Sequence, residues 1–221
     1  MKTQSLVEDT VLPERREDRV GWAYKVAAEA ARAKARFDAW AKSYEKDVED
    51  LWGWRGPEAT LTHVLTYVDK DQKILDAGAG TGLMGKLLRE NGYHDLIGTD
   101  ISIEMLKVAR EKEIYNSDFE ADLTKALPLE DESFDSVISV GVSGYMIPNT
   151  LKELHRVIKP GGTLIYTISD DHFYKNGFET MKDELVDAGK LIVEEISAEF
   201  ATIPKSEPQH LARVHVYRKI G

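Results

Sequence analysis

Three carboxylates in the middle of the chain stand where short apolar runs give way to glycines or turn residues. They are Asp76 in Lys73-Ile-Leu-Asp-Ala-Gly-Ala-Gly-Thr-Gly82, Asp100 closing Ile97-Gly-Thr-Asp100, and Asp122 after Phe119-Glu-Ala121. Gly78, Gly80 and Gly82, with Ala79 between them, supply a turn where a ligand can lie against the backbone. Leu83 to Glu90 are good helix formers, so the loop leads from a strand into a helix N-terminus, where unpaired N–H groups face outward. Gly80-Thr-Gly-Leu-Met-Gly85 also satisfies the dinucleotide fingerprint GxGxxG, with Asp100 as its following acid. Asp76 would repel a pyrophosphate but attract a cation such as an α-amino group, which favours a zwitterionic nucleoside over a dinucleotide. Asp100 can accept both ribose hydroxyls. Asp122 is a third acceptor placed to meet a donor of the same ligand.

These groups need elements to hold them. The middle of the chain alternates strand and helix patterns with short connections, which predicts an α/β fold with a parallel sheet and helices on both faces. Strands are expected at Asp95 to Thr99, Tyr115 to Ala121, Phe134 to Val140 (ending on Ser139 and Val140) and Thr163 to Ser169. Ser102 is placed to cap a helix from Ile103 to Arg110, and Lys159-Pro-Gly-Gly162 reads as a sharp turn. Phe178 to Ala188 is a last amphipathic helix, and Leu191 to Ile203 and Arg213 to Lys219 alternate like strands. Before the glycine loop, polar Met1 to Leu12 promises little structure and Ala-rich Val20 to Arg36 reads as a helix. Phe37, Trp40, Tyr44, Val48 and Leu51 form one helical stripe, and Trp52-Gly-Trp-Arg-Gly-Pro57 breaks it.

At 221 residues, 42% of them apolar, the chain suffices for one well-buried core. A net charge of −10 argues against broad nucleic-acid binding, and without cysteine neither a disulfide nor a zinc–thiolate site can form. No run of about 18 apolar residues is present, so a cytoplasmic protein without a membrane span is expected.

Asp76-Ala-Gly-Ala-Gly-Thr-Gly82 resembles the first motif of the class I S-adenosylmethionine-dependent methyltransferases. Ile97-Gly-Thr-Asp-Ile-Ser102, Phe119-Glu-Ala-Asp-Leu123 and Leu154-His-Arg-Val-Ile-Lys-Pro-Gly-Gly162 agree in order and spacing, so the resemblance covers roughly Trp40 to Ser169. Within that superfamily the chain is most similar to the type 11 branch and to the methyltransferase-like proteins linked to the Williams-Beuren region. The resemblance implies a Rossmann-like, seven-stranded, mostly parallel sheet ending in an antiparallel hairpin. It also implies an N-terminal helical lid over residues 1–57 and a cofactor-binding domain over 58–221.

S-adenosylmethionine is then the implied cofactor and S-adenosylhomocysteine the product. Their implied contacts are Tyr44, Asp76, Gly78, Ala79, Gly80, Gly82, Asp100, Ile101, Met105, Asp122, Leu123, Ser139 and Val140. The region Gly141 to Pro148 faces cofactor and substrate in relatives, which makes Tyr145 a candidate catalytic residue. His172, leaving the fifth strand on the same side, is the candidate general base, and His155 is a weaker one. No Asn-Pro-Pro-Tyr motif occurs, which disfavours nucleobase or glutamine methylation and leaves an O or N atom of a small molecule as the expected acceptor. A non-methylating enzyme that binds the same cofactor, or a non-catalytic binding module, would carry the same cofactor motifs. An NAD-dependent oxidoreductase has no use for Asp76 or Lys159-Pro-Gly-Gly162.

Overall fold

Neighbouring apolar residues in each central strand go to opposite sides of the sheet, and that alternation builds two cores. In the computed structural model, which describes residues 10–19, 22, 30–205 and 210–221, strands β1 (Lys73–Ala77), β2 (Asp95–Asp100), β3 (Ser117–Glu120), β4 (Phe134–Ser139) and β5 (Ile158–Ile168) pair in parallel. Leu75, Ile97, Val137 and Leu164 face one core, and Ile74, Leu96, Ile138 and Ile165 face the other. Burial on both faces explains why these strands read as nearly continuous apolar runs. Each fully buried Leu or Ile contributes roughly 1.5–3 kcal/mol.

Numbering helices over the described residues, α1 (Ala30–Trp40), α2 (Tyr44–Asp47) and a π-helical turn at Val48–Trp52 precede α3 (Gly56–Tyr67). Next come α4 (Leu83–Glu90) after β1, α5 (Ile103–Arg110) after β2, and α6 (Pro148–Val157) before β5. The chain then forms α7 (Asp170–Lys175), α8 (Phe178–Asp187), β6 (Leu191–Ile196), the two-residue β7 (Phe200–Ala201) and β8 (Leu211–Lys219). The sheet runs β3-β2-β1-β4-β5-β8-β6, with β7 pairing beside β8. Strand β8 is antiparallel to β5 and β6, so the expected mostly parallel sheet with its antiparallel end is present, seven strands in a row across it and the short β7 as an eighth. The strand order reverses between β1 and β4, which opens a crevice beyond their C-terminal ends.

Four local expectations are corrected. Lys159-Pro-Gly-Gly162 is not a turn between elements but a bulge within β5: Phe134 pairs with Ile158, and Ser136 with Thr163. Gly162 packs there so closely that a Cβ would lie 2.3 Å from the Asp135 carbonyl. Strand β3 is shorter than Tyr115 to Ala121, because Tyr115 turns inward to another role. The strand expected from Leu191 to Ile203 is split into β6 and β7. The aromatic stripe is not one helix: it passes through α1, α2 and the π-helical turn, which ends at Gly53 with φ 62°. Met1 to Asp9 and most of Val20 to Glu29 lie outside the described residues, so the expectations there are not addressed.

The stripe buries its rings in a third apolar cluster of Trp22, Trp40, Val48, Trp52 and Ile203, above the crevice. Asp47, fully buried, ties this cap together. It accepts hydrogen bonds from Arg16 Nε and Arg19 NH1, both at 2.6 Å, and from Trp40 Nε1 at 2.8 Å. Burial raises its pKa, but the bonds from Arg16, Arg19 and Trp40 outweigh that and leave it below the usual carboxylate value.

Candidate functional site

The glycine loop and the acid of the next strand hold each other. Gly78 has φ 86°, and an added Cβ would lie 2.4 Å from Val142, so only glycine fits there. Its N–H and that of Ala79 donate to the Thr99 carbonyl at 2.8 and 2.9 Å. Gly80 N–H donates to Asp100 Oδ2 and Ser102 N–H to Asp100 Oδ1, both at 2.8 Å. Ser102 caps α5 as its sequence position suggests, its Oγ accepting from Met105 N–H at 3.1 Å. Burial pushes the Asp100 carboxyl up to about 6 despite the Ser102 and Gly80 bonds, with Asp38 adding to the rise.

Asp100 faces a narrow slot of about 80 Å³ at the C-terminal ends of the strands. Its floor is Gly78, Gly80, Ile101, Met105 and Val140; Asp122 and Leu123 close one end, and Ala30, Ala33 and Phe37 of α1 form the roof. Asp122 Oδ1 accepts from Thr124 N–H at 2.9 Å and Thr124 Oγ1 at 2.6 Å. Its Oδ2 is buried with no hydrogen bond, although Lys125 Nζ lies 3.1 Å away. Burial raises the Asp122 pKa, and the Thr124 and Lys125 contacts more than reverse that.

A wider cavity of about 280 Å³ adjoins the slot, and Phe37, Tyr44, Gly141 and Tyr145 belong to the walls of both. Trp40, Trp52 and Trp54 add rings to it, and Ser143, Ser169, His172 and His210 add polar groups. Tyr145 packs edge-on against Phe37, ring centroids 5.0 Å apart. His172 Nδ1 is 2.7 Å from Asn176 Nδ2, and its ring lies against Phe178 with centroids 5.3 Å apart. Burial lowers the His172 pKa, opposed by nearby Asp171 and a hydrogen bond to the Met146 backbone.

Several candidates fall elsewhere. Asp76, 1% exposed, and Ala79 line a recess of about 40 Å³ that shares Tyr44, Gly78, Gly80 and Val140 with the slot. The Asp76 Oδ2 accepts the Tyr115 hydroxyl at 2.6 Å. Burial nonetheless lifts Asp76 to about 7, with Asp100 contributing. Ser139 and Gly82 are off the slot walls: Ser139 Oγ donates to the Ala77 carbonyl at 2.8 Å, and Gly82 packs against Ile114 and Ala109 at the start of α4. His155 bonds the Lys190 carbonyl at 3.0 Å, far along α6. At the break after the aromatic stripe, Trp52 is packed in at 5% exposure and Trp54 is partly buried.

Sequence reasoning missed Tyr115. Its ring fills the space that glycines at positions 85 and 98 leave, where added Cβ atoms would lie 2.4 Å and 2.9 Å from it. Two isolated glycines inside α4 and β2 were the available signal of such a close approach. Lys112 was missed as well: its Nζ donates to the Thr81 carbonyl at 2.7 Å and pairs with Glu45 of the cap.

Comparison with known proteins adds to this geometry. A family model described as a methyltransferase domain matches residues 75–166. Methyltransferase-like protein 27 of Homo sapiens is 36% identical over 162 residues, 69% of this chain and 65% of that protein. The demethylmenaquinone methyltransferase of Renibacterium salmoninarum is 41% identical over 96 residues, 42% of this chain and 40% of that one. The chain thus spans less than two thirds of these relatives. One chain of the solved Haloferax volcanii complex of the Trm112 methyltransferase activator superposes with a TM-score of 0.62 at 23% identity, covering 84% of this chain and 98% of that one, a likeness of fold. With the sheet order and the glycine loop, these matches support a class I S-adenosylmethionine-dependent methyltransferase.

The cofactor implied is S-adenosylmethionine, and the residues present fit it. A buried Asp122 oxygen on the slot wall lacks a hydrogen bond, a Cβ at Gly80 would meet nothing within 4 Å, and Asp76, Asp100 and Asp122 lie near or just past the C-terminal ends of three adjacent strands. Among the described residues no cluster of His, Cys, Asp or Glu could hold a metal, and no helix is long and apolar enough to cross a membrane.

Proposed function

We propose that the protein transfers a methyl group from S-adenosylmethionine to an oxygen or nitrogen atom of a small molecule by in-line displacement. The observation that carries this reading is the shared wall: a slot lined by Asp100 and Asp122 opens beside a separate aromatic cavity, with Tyr44, Gly141 and Tyr145 between them. When bound, the cofactor supplies an activated methyl group and its own leaving group, so no covalent intermediate on the protein is needed.

The chain's residues then have defined tasks. Asp122 Oδ2 accepts from an adenine amine and Leu123 N–H meets a ring nitrogen. Asp100 receives the ribose hydroxyls on the lone pairs its two backbone partners leave free. Asp76, in the adjoining recess, faces the α-amino group. Residues 30–57, with the segment before them, act as a lid that excludes water and aligns the acceptor, and positioning of this kind supplies several kcal/mol of a barrier. Tyr145 orients the acceptor. His172 is neutral at physiological pH, since burial lowers its pKa, and in that state it takes the proton an O or N nucleophile must lose. A cavity enclosed beneath the lid suits a small molecule in the cytoplasm better than a macromolecule. The Renibacterium relative is named for a small-molecule acceptor, demethylmenaquinone, in keeping with this reading.

Calorimetric titration with S-adenosylmethionine and S-adenosylhomocysteine tests the cofactor half. Micromolar binding lost in Asp100→Ala is expected, and absence of binding in the wild type would refute the reading. A mass gain of one methyl on a screened acceptor tests the transfer. If Tyr145→Phe/His172→Ala turns over like wild type with cofactor binding intact, those two roles are wrong.

A further inference from the structure

We propose that the acceptor is an uncharged, planar aromatic molecule that stacks on Trp54 in the wider cavity. This rests on the methyltransferase reading above and narrows the substrate of that same site.

The first ground is what the wall lacks. Charged residues make up 31% of the chain, yet no Asp, Glu, Lys or Arg is among the described residues lining this cavity. Its two histidines do not supply a charge: the His172 ring packs against Phe178 and lies beside the neutral Asn176 amide, and burial lowers the pKa of both His172 and His210. A carboxylate or phosphate entering here would find no cation among the described lining residues and would approach a chain of net charge −10. An ammonium would meet ring faces, worth about 2 kcal/mol when desolvated. That does not offset a desolvation cost of several kcal/mol per ion with no counter-charge. An ammonium nitrogen also has no lone pair with which to accept a methyl group.

The second ground is the shape of the wall. Phe37, Trp40, Tyr44, Trp52, Trp54 and Tyr145 surround the space. Trp54 is seated between two glycines: a Cβ at Gly56 would lie 2.4 Å, and one at Gly141 2.8 Å, from its Cζ2. Two positions in separate segments thus give up their side chains to this one ring. Trp54 is only partly buried and lines both this cavity and the recess beside Asp76, so it stands at the junction of the two. Offset stacking on a fixed ring adds about 0.5–1.5 kcal/mol beyond area burial and selects flat partners.

The third ground is that several polar groups of the wall are already tied to the backbone. Thr167 Oγ1 accepts from Gly141 N–H, Thr202 Oγ1 donates to the His210 carbonyl, and Ser169 Oγ accepts from His172 N–H. What is left to a ligand there is scattered single groups among rings, which suits a hydroxyl or amine carried on a flat ring.

The test measures binding, not turnover. With S-adenosylhomocysteine saturating, the full chain is titrated calorimetrically with four probes: 2-naphthol, 2-naphthoate, trimethylanilinium and the non-planar 2-decalol. 2-Naphthol is expected to bind at least tenfold tighter than the other three. Its affinity should fall about tenfold in Trp54→Ala and recover most of that loss in Trp54→Phe, which keeps a ring if the alanine variant folds poorly. Equal or tighter binding of naphthoate, trimethylanilinium or decalol overturns the proposal, as does 2-naphthol binding indifferent to Trp54. If S-adenosylhomocysteine binds but 2-naphthol does not, only the acceptor class falls. If S-adenosylhomocysteine itself does not bind, the cofactor reading falls and this proposal with it.

Discussion

The slot and the aromatic cavity share a wall but are built by opposite means. In the slot, recognition groups are acids fixed by backbone N–H groups, two of them only two residues further on: Asp100 by Ser102 and by Gly80 of the preceding loop, Asp122 by Thr124. In the cavity they are rings fixed by packing, drawn from residues 37–54, 141–145, 167–172 and 202–212. A pocket made of short-range hydrogen bonds can persist while its neighbour is rebuilt. A single fold can therefore keep one cofactor and change acceptors.

The largest effect should come from the feature both cavities depend on. Asp47→Ala leaves Arg16 and Arg19 without their buried partner and Trp40 without its acceptor, a loss of about 3 kcal/mol. Thermal unfolding should fall by roughly 6–12 °C, and both kinds of ligand should bind more weakly. Because the Asp47 pKa is depressed, its stabilisation is complete above about pH 4, the unfolded value, and lost as pH falls through the folded one. The Tm difference between wild type and variant should therefore shrink in acid.

Asp122→Ala separates the two cavities: S-adenosylhomocysteine affinity should drop about 10- to 100-fold, the range for a hydrogen bond to a charged group, while 2-naphthol binding changes less than about twofold. A large change in both would mean the cavities are coupled. Asp76, raised to about 7, and Asp100, to about 6, work the other way with pH. The folded state holds their protons more tightly than the unfolded chain, so their contribution is greatest below about pH 4 and is lost as pH rises towards 7. Relative to wild type, Asp76→Asn should gain stability across that window in ligand-free protein, read as Tm against pH.

Tyr115→Phe removes the hydroxyl from Asp76 and should cost about 1–3 kcal/mol, seen in urea unfolding, with little change in 2-naphthol binding. His155→Ala should leave turnover within about twofold, since that ring bonds a carbonyl away from both cavities.

The same contrast explains what could be read from the sequence. Glycines and aspartates within a few residues specify a turn, a cap and an acid beside them, so the loop, Asp100, Ser102 and the strand alternation were legible. Tyr115 was not, because its partner Asp76 lies 39 positions away and the sheet must form before they meet. Ser139 and Gly82 stand inside motifs, yet their spacing does not say which way each faces. The stripe from Phe37 to Val48 was legible as one face, but the break between α1 and α2 depends on Asp47 collecting Arg16, Arg19 and Trp40, which no local pattern encodes. The bulge at Lys159-Pro-Gly-Gly162 likewise arises from its fit against Asp135 of a neighbouring strand.

Helix α1 roofs the slot with Ala30 and Ala33 and the cavity with Phe37 and Trp40, and it is fastened beside Asp100 where Ser102 Oγ donates to Asp38 Oδ1 at 2.6 Å. One cover over two sites imposes an order on traffic. An acceptor seated beneath α1 holds it down over the slot, so the cofactor is expected to enter first and its spent form to leave last. Steady-state kinetics would then show an ordered sequential pattern: S-adenosylhomocysteine competes with S-adenosylmethionine but is non-competitive against the acceptor. The helix that shields the reaction would also time it, with cofactor exchange waiting on the release of Asp38 from Ser102.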